Sequence, residues 1–468
     1  MRRKIACIIA VLFALLMLAA CGGGGDNNTQ QQPSLPKEIT RVSVSTSGAE
    51  ANNDSSFAYS PAISGDGRYV AFYSLASNLV TGDTNTVDDV FVRDVLTNTT
   101  TRISVATGGV QGNGYSYNPS ISSDGRYVAF ESTASNLVTG DTNTRSDIFV
   151  HDRQTGTTTR VSVATDGTQS DGNSSYPSIS GNGRFVAFKS AATNLVTGDT
   201  NGVADIFVRD RDTDNDGIFD ETGAVSTTRV SISTASVQAN GICDNPVISG
   251  NGRYVAFIST ATNLVTSDGN SATDVFVRDL QSNTTVRVSV ATGGTEAVTS
   301  SGSLSPAISS DGRYVVFESY ATNLVTVDMN GYLDIFMRDR DTDNDGIFDE
   351  AGAVSTTLVS ENGGTQTNQH SYNPSISSDG QYIAFESSAT TLIVSGDTNS
   401  AGDIYVRELA TGTITRSSLA ADGTQGDLDS MYPAISGDGK YVAFVSDATN
   451  LVPGDTSNNR DVFVTPVK

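Results

Sequence analysis

The chain has 468 residues, with 52 acidic against 28 basic side chains (formal charge −24), two histidines, three cysteines and no tryptophan. That charge repels phosphate backbones and anionic headgroups, which excludes nucleic acid as a partner. Three cysteines cannot build a disulfide framework, so the fold is held by packing.

Arg2, Arg3 and Lys4 are followed by a mostly apolar run, Ile5 to Ala20. This is the layout of a secretory signal peptide over residues 1–20, and it is short for a membrane span. The run ends Leu18-Ala19-Ala20-Cys21, which resembles the bacterial lipobox. The resemblance implies cleavage before Cys21 and a diacylglycerol on its thiol. The alternative is an ordinary signal peptide with an incidental cysteine. The Gly-, Asn- and Gln-rich run that follows favours lipidation, because it reads as a flexible tether over residues 21–36. Residue 22 is Gly rather than Asp, which by likeness to Gram-negative lipoprotein sorting implies the outer membrane. The expected location is therefore the cell envelope, lipid-anchored on its periplasmic or surface face. Cys243 is then the sole free thiol.

Residues 37–468 are dominated by one block that returns seven times, from YSPAISGDGRYVAF at residue 59 to MYPAISGDGKYVAF near the end. Its prolines are Pro61, Pro119, Pro177, Pro246, Pro306, Pro374 and Pro433, spaced by 58, 58, 69, 60, 68 and 59 residues. Each unit reads as four strands: PSIS, a two-residue Asp-Gly or Asn-Gly type I′ turn, RYVAF, a long loop, DIFV, and TRVSV. Repeated four-stranded units of this length predict an all-β, seven-bladed β-propeller. The chain opens with a stray fourth strand, residues 38–45, and its last unit stops after a third strand. The N-terminal strand is therefore expected to complete the last blade and close the ring.

The motif P-x-I-S-x-D-G-[RK]-Y-[IV]-A-F followed by D-I-[FY]-V resembles the TolB-type, WD-repeat-like propellers, over roughly residues 38–464. The resemblance implies the propeller fold only. TolB proteins carry an additional N-terminal α/β domain that has no counterpart in this sequence, and one fold hosts many functions.

The turn acid is Asp66, Asp124, Asp311, Asp379 and Asp438 but Asn182 and Asn251 elsewhere, so its charge is dispensable. The acid opening the third strand is invariant among the units: Asp89, Asp147, Asp205, Asp274, Asp334, Asp403 and Asp461. It is expected to accept backbone N–H groups of the preceding loop. The loop acids Asp83, Asp141, Asp199, Asp397 and Asp455 read as local Asx turns. Units three and five carry nearly identical insertions, RDRDTDNDGIFDETG and RDRDTDNDGIFDEAG. Asp212, Asp214 and Asp216 with the Ile218 carbonyl, Asp220 and Glu221 form one expected structural Ca2+ site. Asp341, Asp343, Asp345, Ile347, Asp349 and Glu350 form the other. These loops resemble the short calcium loops of thrombospondin type 3 repeats more than an EF-hand, because position twelve is Gly223 or Gly352. A solvated acidic hairpin is the alternative.

His151 stands where other units have Arg and reads as a surface substitution, while His370 approaches the central channel. No G-x-S-x-G or H-E-x-x-H motif occurs, and the chain is expected not to be an enzyme. Residues just before the prolines are expected at the channel mouth, where Tyr117, Asn118, Tyr176, Asn245, His370, Tyr372, Asn373 and Tyr432 suit a polar or peptide ligand. Packing around the axis is the equal alternative. The expected function is a monomeric envelope lipoprotein that binds a protein partner. A carbohydrate or cell-wall-polymer binder comes second, and a polysaccharide-active enzyme last.

Overall fold

A computed structural model describes residues 34–56, 60–298, 302–326, 328–393 and 396–468. The expected leader, Cys21 and most of the tether lie outside the described residues. Among the described residues there is no helix, and seven four-stranded antiparallel sheets follow one another as the blades of a propeller. Blade one consists of Ala62–Ile63, Tyr69–Ser74, Asp89–Asp94 and Thr99–Arg102. Blade seven takes Ser430–Ile435, Tyr441–Ser446 and Asp461–Pro466 from the C-terminal end and Thr40–Arg41 from the other.

The predicted closure is present. Thr40 pairs with Val464 and Arg41 with Phe463, and the Val42 N–H donates to the Val462 carbonyl at 2.7 Å. Each blade is buried on both faces, which explains its unbroken apolar strands. In blade one, Val70 and Phe72 pack toward blade seven, whereas Ala71 and Tyr73 pack toward blade two. Seven apolar clusters result, one for each seam. Phe72 and Phe91 stack across strands with centroids 5.8 Å apart, and the other blades repeat the pair.

The turn between first and second strands is not type I′. That turn needs positive φ at both central residues, and of Asp66 and Gly67 only the glycine has it, at 77°. The connection runs from Gly65 to Arg68, with the Gly67 N–H donating to the Ser64 carbonyl. One oxygen of Asp66 accepts from the Ser64 hydroxyl and the Arg68 N–H. Asn182 makes the same two contacts in blade three, so the interchange of Asp and Asn is turn chemistry.

The invariant third-strand aspartates do a different job from the one expected. They accept from side chains. Asp89 takes the Ser104 hydroxyl at 2.5 Å and the Gln111 amide at 3.0 Å, and Arg102 lies at 3.4 Å. The loop acids, read as turn formers, are buried beside the same arginine. Arg102, Arg160, Arg229, Arg287 and Arg416 each stand between a loop acid and a third-strand acid, as Arg41 does in blade seven.

These acids set the pH dependence of stability. Burial, opposed by Ser and Arg partners, raises Asp403 and Asp455 to about 6 and Asp461 to about 7. Unfolded aspartates titrate near ~3.9, so this stability is present at low pH and lost as pH rises from 4 through 7. Burial would raise Asp94, Asp152 and Asp279, but Arg68, Arg126 and Arg253 together with following hydroxyl and backbone N–H donors hold them at about 2. Their contribution is lost as pH falls from 4 toward 2. Calorimetry should find a higher melting temperature at pH 5 than at pH 8. A rise from pH 5 to 8 would contradict this assignment.

Candidate functional site

In blades two to seven the residues preceding the prolines belong to the first strands and do not merely precede them. In six blades the strand register breaks at this point. The residue before the proline adopts left-handed backbone there: Asn118, Tyr176, Asn245, Ser305, Asn373 and Tyr432 have φ between 46° and 54°. For a side chain other than glycine this conformation costs ~1–3 kcal/mol unless its surroundings enforce it.

The surroundings do so from the second strands. Glu131 accepts from the Asn118 amide at 3.0 Å in its own blade and the Tyr176 N–H at 3.4 Å in the next. Glu318 accepts from the Ser305 hydroxyl at 2.8 Å and the Asn373 N–H at 3.0 Å. Glu386 repeats this with the Asn373 amide and the Tyr432 N–H. At the equivalent position in blade three, Lys189 pairs with Asp244 of blade four at 2.7 Å, and Asp244 accepts the Asn245 N–H. Burial raises the pKa of all three glutamates. These latches surround a cavity of about 300 Å3 on the axis, lined by Asn118, Tyr176, Asn245, Ser305, Asn373 and six of the seven repeat prolines.

Of the predicted mouth residues, Asn118, Tyr176, Asn245 and Asn373 line this cavity. Tyr117 and Tyr372 stand opposite Glu131 and Glu386 in the strand register, and Tyr432 is latched by Glu386. His370 joins a cluster that the sequence did not reveal. Its ring lies 5.8 Å from Tyr320, 5.0 Å from Tyr332 and 5.7 Å from Tyr372. Its Nδ1 accepts the Leu333 N–H at 2.9 Å, which places the ring proton on Nε2. His151 is not a surface residue. It is buried, bonded to the Thr158 hydroxyl, and desolvation lowers it to about 4. Arg93 and Arg209 make the matching threonine contact in their blades.

The two acidic insertions are shaped alike. Carboxylate oxygens of Asp212, Asp214 and Asp216 lie within 4.8 Å of one another, as do those of Asp341, Asp343 and Asp345. Asp212 accepts the N–H groups of Asp216 and Gly217, and Asp341 those of Asp345 and Gly346. Desolvation and the neighbouring carboxylates push Asp214 upward. Asp220 and Asp349 do not join. They pair with Arg211 and Arg340, which also stack against Phe219 and Phe348. Ile218 and Ile347 are exposed, and Glu221 and Glu350 stand outside the carboxylate groups.

No family model and no curated protein matches the chain. Among solved structures, the fold is shared with an oligogalacturonate lyase in complex with manganese, over 94% of this chain and 95% of that one, at 12% identity and TM-score 0.52. It is shared with a prolyl endopeptidase over 89% of this chain and 50% of that chain, at 10% identity and TM-score 0.50. A putative TolB from Agrobacterium tumefaciens is also similar, over 79% and 94%, at 13% identity and TM-score 0.38. These likenesses show the fold alone. They do overturn the expectation that the chain is not an enzyme. This fold makes up nearly the whole of a lyase and about half of a peptidase, so the architecture does not count against catalysis.

Proposed function

We propose that the chain is a lipid-anchored envelope protein whose channel mouth captures a peptide segment of a protein partner. The observation that carries this reading is the latched ring. Five left-handed residues are held by three glutamates and a sixth by the Lys189–Asp244 pair. A rim of tyrosines and asparagines fixed before the ligand arrives keeps the entropy cost of binding low. The clustered Tyr320, Tyr332 and Tyr372 favour carbohydrate as the second reading, because ring faces suit sugar surfaces. A photocrosslinking residue at Tyr372 in living cells separates the two. A discrete protein adduct supports the first reading, while a glycan adduct, or none, sinks it. Detergent-phase partitioning that disappears in Cys21→Ser tests the anchor.

The acidic insertions are proposed as structural calcium loops. Asp212, Asp214 and Asp216, and their counterparts in blade five, would supply the carboxylate oxygens, with Asp220 and Asp349 reserved for their arginines. Calcium added after EDTA should raise the melting temperature by several degrees, and Asp214→Asn with Asp343→Asn should abolish the rise. Superimposable melts would refute the sites.

A further inference from the structure

The two ends of the propeller differ in what leaves them. In blade seven Tyr441 pairs with Pro466 at the end where first and second strands turn, and Ser446 pairs with Asp461 at the end where the first strands begin. Thr40 and Arg41 meet Val464 and then Phe463, so their strand runs away from the turn end. The chain that precedes it therefore departs at the turn end. Leu35 is already packed on the seam cluster that contains Tyr441. The 13 residues between Cys21 and Leu35 span at most ~45 Å. The acidic insertions lie at the same end, because each joins the close of a third strand to the start of a fourth, Asp210 to Ser226 and Asp339 to Ser355.

Each insertion carries an isoleucine just past its acids, Ile218 or Ile347, that is 55% exposed. The next residue pins the loop. Phe219 and Phe348 pack on Tyr127 and Tyr254 of the preceding blades, both with centroids 5.3 Å apart. Arg211 and Arg340 tie the base to the Gly183 and Gly312 carbonyls at 2.8 and 2.7 Å. Neither isoleucine can fold back onto its blade. Among the described residues, the other large exposed apolar side chains lie in connections that leave a second or a fourth strand, at the opposite end. Blades three and five carry the isoleucines and blade seven the departing chain, so the three points are two, two and three blades apart and define a plane across the turn end. We infer that the propeller stands on its anchoring membrane at this end, with Ile218 and Ile347 dipping into a phosphatidylethanolamine surface and the latched ring turned away. Fixed apolar side chains gain by leaving water. Asp214 and Asp343 beside them repel anionic headgroups and suit the ethanolamine ammonium. Two isoleucines bind weakly alone, and the tether supplies the local concentration that makes them effective.

The inference rests on the lipid anchor proposed at Cys21 and not on the calcium loops. The chain has no tryptophan, so a single introduced one reports its own position. Ile218→Trp, Ile347→Trp and, at the opposite end, Ile242→Trp are made in the full lipidated protein. Each is added to vesicles of phosphatidylethanolamine and phosphatidylcholine, with and without bromine on the acyl chains. Brominated lipid should quench Ile218→Trp and Ile347→Trp severalfold more than Ile242→Trp, and aqueous iodide should show the reverse order. Equal quenching at all three positions, quenching by brominated lipid only in Ile242→Trp, or none anywhere overturns the inference, while flotation of the protein with the vesicles leaves the anchor standing. If the protein does not float, and Cys21→Ser behaves like the parent, the anchor is wrong and the inference falls with it.

Discussion

Arg41→Ala is expected to unfasten the ring, at a cost of about 3–5 kcal/mol, because it strips the cation from a buried ion cluster. Arg41 lies 2.8 Å from Glu50, 3.1 Å from Asp455 and 3.5 Å from Asp461, and all four groups sit where the two ends of the chain meet. Three carboxylates share one guanidinium there. The defect should depend on pH in a definite direction. Asp455 and Asp461 already titrate at about 6 and about 7, and losing the arginine raises them further. At pH 5 the protonated acids no longer need the cation, so the variant should be nearer wild type than at pH 8. Urea denaturation at both values measures this. A loss below about 1 kcal/mol at pH 8, or the same loss at both values, would remove the cluster from its role in closure.

The second large effect lies at the seams. The turn glycine of each blade rests on an aromatic ring of the preceding one. A Cβ on Gly125 would lie 2.1 Å from Tyr69 Cδ2, and one on Gly67 would lie 2.3 Å from Tyr441 across the closing seam. Gly125→Ala should therefore lose about 3 kcal/mol, combining left-handed strain with a forced shift of the tyrosine. Gly140→Ala is the control, because its φ is 79° but no atom lies within 4 Å of the added carbon. It should lose only about 1 kcal/mol. Equal losses in chemical denaturation would mean that backbone strain alone matters and the seam contact does not.

The ring, its blade count and its closure were legible in the sequence because they are periodic. A block repeated in phase announces four strands per unit, and a surplus strand at one end matches a deficit at the other. The arginine between two acids was not legible in the same way. Arg102 lies 13 residues from Asp89 and 19 from Asp83, and a motif read along the chain shows each as a recurrent residue without joining them. The clue was the joint recurrence of TRVSV with both aspartates, broken in unit five by TTLVS. The acidic insertions were half legible. Their spacing foretold that three carboxylates converge, but nothing in it showed that Arg211 and Arg340 claim Asp220 and Asp349. The prolines pointed to the axial cavity, but of the residues named there Asn118, Tyr176, Asn245 and Asn373 line it and Tyr117, His370, Tyr372 and Tyr432 do not. Its latches were hidden because Glu131, Lys189, Glu318 and Glu386 occupy a position where other units have Tyr73, Ile258 or Val445, so no repeat advertised them.

The joining of Thr40 to Val464 has a consequence in time. The first strand of the propeller cannot find its partner until almost the last residue has been made. Through the whole of synthesis that strand remains an unpaired edge, open to any other strand nearby. The early blades can assemble on one another as they emerge, but the molecule becomes a ring in a single late event. A chain cut short by even its final strand would keep most of its apolar seams and still present two raw edges. Truncated forms of this protein should therefore aggregate rather than merely lose stability.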